Sequence, residues 1–563
     1  MFVPVRYKRL VIIAGFSLLL TFLSLYSVSS TVQEKVPLHT IPENIRNYFY
    51  NQDDTLTNSN PDLKDYDYKD ISYKEESNIK FNQNFQNFYT DIFEFIHSFK
   101  HEIPHIEIKN PLRDNKPEFL NKDSLQNFLK LDKEVIKNLN QFHSSVVNKI
   151  SSLKKIYKKN NLYSKENGIV MIGGEEFSWL SILSIKSIRS FGCTLPIELI
   201  IPTKEEYEYD LCQSLLPSLN GKCVLLNEVL GSHLYNKLNF KGYQYKSLAI
   251  LASSFDNILF LDSDNILLTD PEEFFFKDPY KSNGLVLWPD YWERTTSPDF
   301  YEIVGSEISN LQIRDGKWPL KNPILTIDEK KVKYHDLQGT LPDLSSESGQ
   351  LLIRKSDHLG TVLLSFLYNY YGPNFFYPLL SLGASGEGDK DTFIAGAEFS
   401  DENYYQIKSG IQSFGWFDEG TFHGVSMGQR NPIEDFENYN DVLKSGTFDF
   451  TKFDDRNASV FTVHANYPKL NPYLLYKENK LINSKGETFR MYGDIYKFLP
   501  HLVENGQYYD FELIQYRRMK FLLCEENISL KYNNFNDISK DELCKFIDDH
   551  LDYLQKNPIE KFI

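Results

Sequence analysis

Cysteine is scarce. Five among 563 residues are too few for a disulfide scaffold and enough for one or two bridges in an oxidising compartment. No long basic stripe is present either. Lys and Arg total 61 against 77 Asp and Glu, a formal net charge of −16, so the phosphate-neutralising surface that nucleic acid requires is missing and no nucleic-acid partner is expected. What the chain has in abundance is aromatic side chains, 42 Phe and 36 Tyr within 41% hydrophobic residues. That content excludes a disordered polymer or a collagen-like fibre. The length allows one large or two medium domains plus appendages.

One uncharged run, Leu10–Val28, follows Arg6, Lys8 and Arg9. Its ~19 residues at about 1.5 Å each match the bilayer core. Cations on its N-terminal side hold that end in the cytosol, which gives a single-pass, type II membrane protein. A cleaved signal peptide is the rival reading, on the small residues Ser27, Ser29 and Ser30, although such apolar regions usually run only ~7–15 residues. A buried core helix is the weaker rival. The expected division is a cytosolic tail at 1–9, a transmembrane signal anchor at 10–28, a flexible stem at 29–80 and a helical stem region at 81–160. A main domain at 167–502 and a C-terminal helical extension at 503–563 complete it.

In the stem region, Phe81, Phe85, Phe88, Ile92, Phe95, Ile96 and Phe99, and again Leu125–Leu153, repeat at helical spacing. Such stripes either dock on the domain that follows or pair with another subunit in a homo- or hetero-oligomer. From Gly168 the pattern changes. Gly168–Gly174 reads as a strand ending in a Gly173-Gly174 turn, Phe177–Phe191 as a helix and Leu195–Ile201 as a strand. This alternation predicts an α/β fold, a mixed and mostly parallel sheet flanked by helices, with a nucleotide pocket at the strand ends as the default. A plain tight turn explains the paired glycines equally well.

The chemistry concentrates in Gln244–Asn265. A helix from Ser247 to Ser254 leads into the apolar strand Asn257–Leu261, which ends in Asp262-Ser-Asp264-Asn265. In a loop, two acids spaced this way are solvated turn residues. At the C-terminal end of a buried strand they offer oxygen ligands for Mn2+ or Mg2+ carrying a diphosphate. Phosphohydrolases that use the first Asp as nucleophile want a small Thr or Val where Ile266 stands, so a sugar-nucleotide transferase of the GT-A fold matches better. Leu287–Thr296 adds Trp288, Asp290, Trp292 and Arg294, flat faces and polar groups suited to gripping a sugar, or a structural Trp loop. Ser346–Gln350 contains Glu347, and Gly386–Asp391 gathers acids and Lys390 among glycines. His464 ends a short apolar strand and is followed by Lys469; a lone His is more often structural.

Together, Tyr243–Asn265, Leu287–Thr296, Glu347–Gln350, Gly386–Phe393 and His464–Lys469 resemble the fungal Golgi α-mannosyltransferases of the Mnn family, the α-1,2 branch-forming type in particular. The resemblance spans about Gly168–Leu502. It implies transfer of mannose from GDP-mannose to mannan or N-glycan side chains in the Golgi lumen, with Mn2+. Carried onto this chain, the metal ligands are Asp262, Asp264 and His464. The loop below the anomeric carbon is Asp389-Lys390-Asp391, with Lys390 where related enzymes often have Gln. Gly173, Gly174, Lys246, Asn265 and Lys469 are assigned to the donor, and Trp288, Asp290, Trp292 and Arg294 to the sugar or acceptor. An α-linked donor and an α product mean retention. Retention needs a carboxylate nucleophile or same-face attack, with Asp389, Asp391 and Glu347 as candidates and the route open. The alternatives are a transferase of a UDP-hexose and a non-catalytic lumenal mannan-binding subunit.

Asn457 and Asn527 begin N-glycosylation sequons. Cys212 with Cys223 and Cys524 with Cys544 are close enough in sequence to bridge, leaving Cys193 free, although spacing alone does not fix connectivity.

Overall fold

The strands form where apolar runs can be covered on both faces. The chain was described from a computed structural model over residues 69–157, 162–444, 449–493, 499, 502, 509–526, 530 and 538–559, all within one compact unit. The Leu10–Val28 run and Asn527 lie outside these residues, and among the described residues no helix is long and apolar enough to cross a membrane.

Two amphipathic helices come first, α1 (Lys69–Ser98) and α2 (Lys133–Tyr157). There follow β1 (Ser164–Ile172), α3 (Glu175–Ser190), β2 (Ile197–Ile201), β3 (Gly221–Leu225), α4 (Tyr245–Ala252), β4 (Phe255–Leu261), β5 (Asn265–Leu267) and β6 (Leu285–Pro289). Next are the hairpin of β7 (Leu311–Asp315) and β8 (Trp318–Leu325), then β9 (Ser346–Arg354), α5 (Leu359–Tyr370), α6 (Thr392–Glu398) and β10 (Tyr405–Gln406). Strands β11 (Gln412–Asp418), β12 (Thr421–Arg430) and β13 (Val460–His464) precede α7 (Phe511–Lys520) and α8 (Lys540–Lys556).

Seven strands make the main sheet in the order β10-β6-β9-β4-β1-β2-β3. Its pairings are parallel except where β9 runs antiparallel between β4 and β6. The sheet separates two cores, and side chains alternate between them as the strand period of two requires. On β4, Ile258 and Phe260 enter one core while Leu259 and Leu261 enter the other; on β1, Val170 faces one and Ile169 and Met171 the other. With both faces covered, the strands read as continuous apolar runs rather than alternating ones.

The first core takes in Phe85, Ile92, Phe93 and Ile96 of α1 and Phe142, Val146 and Ile150 of α2. The stem-region stripes are therefore packing faces against the main domain, and α1 begins at Lys69 rather than near residue 81. The second core takes in Phe511, Tyr516 and Met519 of α7 and Leu543, Ile547 and Leu551 of α8, so the C-terminal extension belongs to the same body. The bridges Cys212–Cys223 and Cys524–Cys544 are both formed, and Cys193 is a buried free thiol.

A second sheet, β11-β12-β13-β5, is antiparallel. Strand β5 continues directly from β4 past the acidic pair, and its pairing with β13 sets His464 opposite Asn265.

Candidate active site

The acidic pair sits where β4 leaves the main sheet and β5 joins the second one. Asp262 and Asp264 are brought together with His464 by that junction, one ligand atom from each lying within 4.8 Å of the others. His464 Nε2 lies 3.1 Å from Asp264 Oδ1, and its Nδ1 lies 3.6 Å from Glu347 Oε1. Gly349 makes the close packing possible: a Cβ there would come 2.8 Å from the His464 ring and from Glu347 Oε1, and 2.9 Å from Asn265 Nδ2. Its carbonyl accepts the Asp262 backbone N–H at 2.7 Å.

Cations hold the surrounding carboxylates. The Lys246 ammonium, from the first turn of α4, bonds Asp262 Oδ2 at 2.8 Å and Ser348 Oγ at 3.0 Å and lies 3.3 Å from Asp389 Oδ2. Lys469 donates to Asp264 Oδ2. Burial opposes the charge of Asp264, but His464 and Lys469 outweigh it and hold the carboxyl well below the usual range. The same exchange acts on His464. Burial disfavours the imidazolium, while Asp264 and then Glu347 raise its pKa to about 9. Burial pushes the Glu347 and Asp389 carboxyls upward, more than His464 and Lys246 respectively draw them down. Two carboxylates and an imidazole whose ligand atoms lie within 4.8 Å of one another suit a hard divalent ion with mixed O and N ligands.

The other residues expected at the site divide into two groups. Facing the acids are Glu347, Lys246, Lys469, Asp389, and the pair Asp290–Lys390, whose ammonium and carboxylate are 2.7 Å apart. Trp292 is exposed beside this pair, its Cδ1 3.3 Å from where a Gly386 Cβ would stand. The second group is structural.

Trp288 does not reach a sugar: it is fully buried, donates its indole N–H to the Arg430 carbonyl at 2.8 Å, and packs on Phe461. Its position on β6 aims it into the second core, as the strand alternation dictates. Arg294, 1% exposed, also leaves the sugar-reading set. Its guanidinium donates to the carbonyls of Pro342 and Leu344 and pairs with Asp391 at 2.9 Å. Asp391 in turn accepts from Ser346 N and Ser345 Oγ. Burial opposes its charge, but Arg294 and Lys390 keep its pKa low, and its oxygens are occupied by protein. Asn265 is likewise satisfied internally, its amide donating to the Gly349 carbonyl and accepting from Thr462.

Gly174 adopts φ +94° and caps α3, with the Pro202–Glu206 turn packed against it. The paired glycines therefore form a tight turn between β1 and α3. Asn457 is exposed on a short turn. Sequence reading missed Ser348, Gly349 and Tyr243. Ser348 and Gly349 follow Glu347 directly and gave no separate signal. The Tyr243 ring lies 5.9 Å from the Lys246 ammonium.

A mixed, mostly parallel sheet thus carries a carboxylate pair at a C-terminal strand end, with a histidine from the second sheet and lysines beside it. A family model described as "Mannosyltransferase putative" matches residues 166–431. The α-1,2-mannosyltransferase MNN23 of Candida albicans is 39% identical over 482 residues, covering 78% of each chain. The α-1,2-mannosyltransferase MNN2 of Saccharomyces cerevisiae is 36% identical over 473 residues, covering 77% of each. The chain belongs to this fungal α-1,2-mannosyltransferase family. Among solved structures, the glycosyltransferase GlyE of Streptococcus pneumoniae is similar at 17% identity and a TM-score of 0.25, over 44% of this chain and 46% of that one.

Proposed function

We propose that this chain transfers mannose from GDP-mannose to an α-mannoside of mannan or an N-glycan, forming an α-1,2 linkage with retention. The observation that carries the reading is the meeting of Asp262, Asp264 and His464 at the sheet edge beside the buried Asp389 and Glu347. Those three residues would hold Mn2+ or Mg2+, which when bound would neutralise the diphosphate leaving group. Lys469, already on Asp264, is placed to meet phosphate charge as well.

On the sugar side the chain's own groups have separable tasks. Among the described residues the Asp389 carboxylate is held by Ser348 Oγ and Lys246 and, unlike that of Asp391, by no backbone donor. A carboxylate fixed in a buried, preorganised position stabilises positive charge developing at an anomeric carbon more than it stabilises the ground state. The Asp290–Lys390 pair presents a donor and an acceptor to sugar hydroxyls, and Trp292 offers a flat apolar face. Arg294, through Asp391, ties the segment that carries Asp290 and Trp292 to the loop that carries Asp389 and Lys390.

The N-terminal run Leu10–Val28 supports a lumenal, Golgi-anchored enzyme under the same reading. A panel of sugar nucleotides with Mn2+ and an oligomannoside acceptor tests it: mannose incorporation from GDP-mannose alone, released by α-1,2-specific mannosidase, is expected. Turnover of a UDP-hexose in its place, or of no donor at all, overturns it.

A further inference from the structure

The donor reading leaves open how one nucleobase is told from another, and the structure holds a carboxylate placed to do so. From the acidic pair, Lys469 reaches outward from Asp264 and stands 5.7 Å from the ring of Phe177. Phe177 is exposed at the start of α3, and its backbone N–H bonds the Gly174 carbonyl at 3.0 Å. Gly174 is covered by Glu206: a Cβ on the glycine would fall 2.0 Å from Glu206 Oε2. A lysine already on the acidic pair, an exposed aromatic ring and a carboxylate thus gather around the Gly174 turn, at the C-terminal ends of β1 and β2, where α/β sheets bind nucleotides.

Glu206 is an ordered and uncompensated acceptor. Its Oε1 accepts from Thr203 Oγ1 at 2.9 Å, which orients the carboxylate, and no cation pairs with it among the described residues. Burial, then the like charges of Glu175 and Glu205, raise its pKa despite that bond. Its charge also acts on Tyr235 and Tyr245, which places those side chains near it. A half-buried carboxylate of this kind is best satisfied by two parallel N–H donors. Guanine presents such a pair, the ring N1–H and the exocyclic 2-amino group. Uracil presents one N–H between two carbonyl oxygens that would face the carboxylate lone pairs.

We infer that Glu206 reads the guanine edge of the donor, and that Phe177 carries the face of the same base. The inference rests on the GDP-sugar reading and adds the residue that enforces it. A site built around buried hydrogen-bond partners rejects an analogue lacking them far more strongly than an apolar pocket does, so selectivity concentrates in this one side chain.

The test uses the full-length chain with Mn2+ and compares equilibrium binding of GDP, UDP and inosine diphosphate, which lacks only the 2-amino group. The wild type is expected to bind GDP at least about tenfold more tightly than inosine diphosphate. Glu206→Gln is expected to weaken GDP at least tenfold and to bring the two purine nucleotides to within about twofold of each other. Glu206→Asp keeps the charge, shortens the reach and supplies the same readout should the Gln variant melt early. An unchanged GDP to inosine diphosphate ratio in both variants, or its loss in Glu175→Gln instead, overturns the assignment while leaving the GDP-sugar reading intact. Tighter binding of UDP than of GDP by the wild type overturns that reading itself.

Discussion

His464 Nε2 and Asp264 Oδ1 are 3.1 Å apart because β5 and β13 pair antiparallel with Asn265 opposite His464. One strand register thus completes the candidate metal site. Between the two residues in sequence, β9 brings Glu347 and the 389–391 loop brings Asp389 back to the same edge.

Asp262→Ala and Asp264→Ala should each lower transfer by at least about a hundredfold, since replacing even outer-shell partners of a metal costs 10–100-fold. Asp264→Ala should also melt earlier, because it leaves His464 and Lys469 without the carboxylate that pairs with both, so transfer is compared in the folded fraction. His464→Ala should be as inactive. Activity that persists in EDTA, or in any of the three, would falsify the metal assignment.

Trp288 and Arg294 should behave as fold residues. Arg294→Ala leaves Asp391 buried and unpaired, for which a loss of about 3–5 kcal/mol is expected in urea unfolding. Trp288→Phe removes a buried indole donor and should cost about 1–3 kcal/mol. In the fraction that folds, KM for GDP-mannose and acceptor should match the wild type. A raised KM with unaltered stability would return either residue to the sugar site.

The two acids of the 389–391 loop should separate cleanly. Asp389→Asn should lower kcat by about a hundredfold or more with little change in melting temperature. Asp391→Asn weakens the pair with Arg294 and should melt earlier. Kinetics and melts on the two variants decide it, and full kcat in Asp389→Asn removes that carboxylate from the chemistry.

Asp336 carries a pH signature. It is buried and accepts the Gly316 N–H at 2.9 Å, and burial pushes its pKa up to about 6 from an ordinary 3.8, despite that bond. The folded state therefore holds this proton more tightly than the unfolded one. The stability it contributes is complete below about pH 4 and is lost as pH rises through 6. Asp336→Asn should melt a few degrees higher than the wild type at pH 7.5, and the gain should vanish at pH 4. A gain that is the same at both values contradicts the burial argument.

Non-reducing peptide mapping should recover Cys212–Cys223 and Cys524–Cys544, with Cys193 alkylated only after unfolding. Each bridge should contribute about 2–4 kcal/mol, and five free thiols in native protein would exclude both.

The local pieces of this protein were legible because each depends on near neighbours in the chain. The run Asn257–Leu261 is a strand since apolar residues covered on two faces need no alternation, the glycines at 173–174 turn the chain since Gly174 adopts φ +94°, and acids after a buried strand emerge at a sheet edge. Helical spacing located the faces of α1 and α2, but not what covers them.

Tertiary structure decided which expected residues are left near the acidic pair. Trp288, Arg294, Trp292 and Asp290 lie within one short segment, and its sequence gives all four the same promise. The β6–β9 register sends Trp288 inward, the Arg294–Asp391 pair turns that arginine beneath the loop, and Asp290 stays paired with Lys390 with Trp292 exposed beside them. Likewise, only the packing of the turn after β2 against Gly174 sets Glu206 at the start of α3. The sequence determined the elements and the reactive groups, because these follow from periodicity and side-chain chemistry. Burial and direction came from the fold, since strand register and long-range ion pairs depend on residues far apart in the chain.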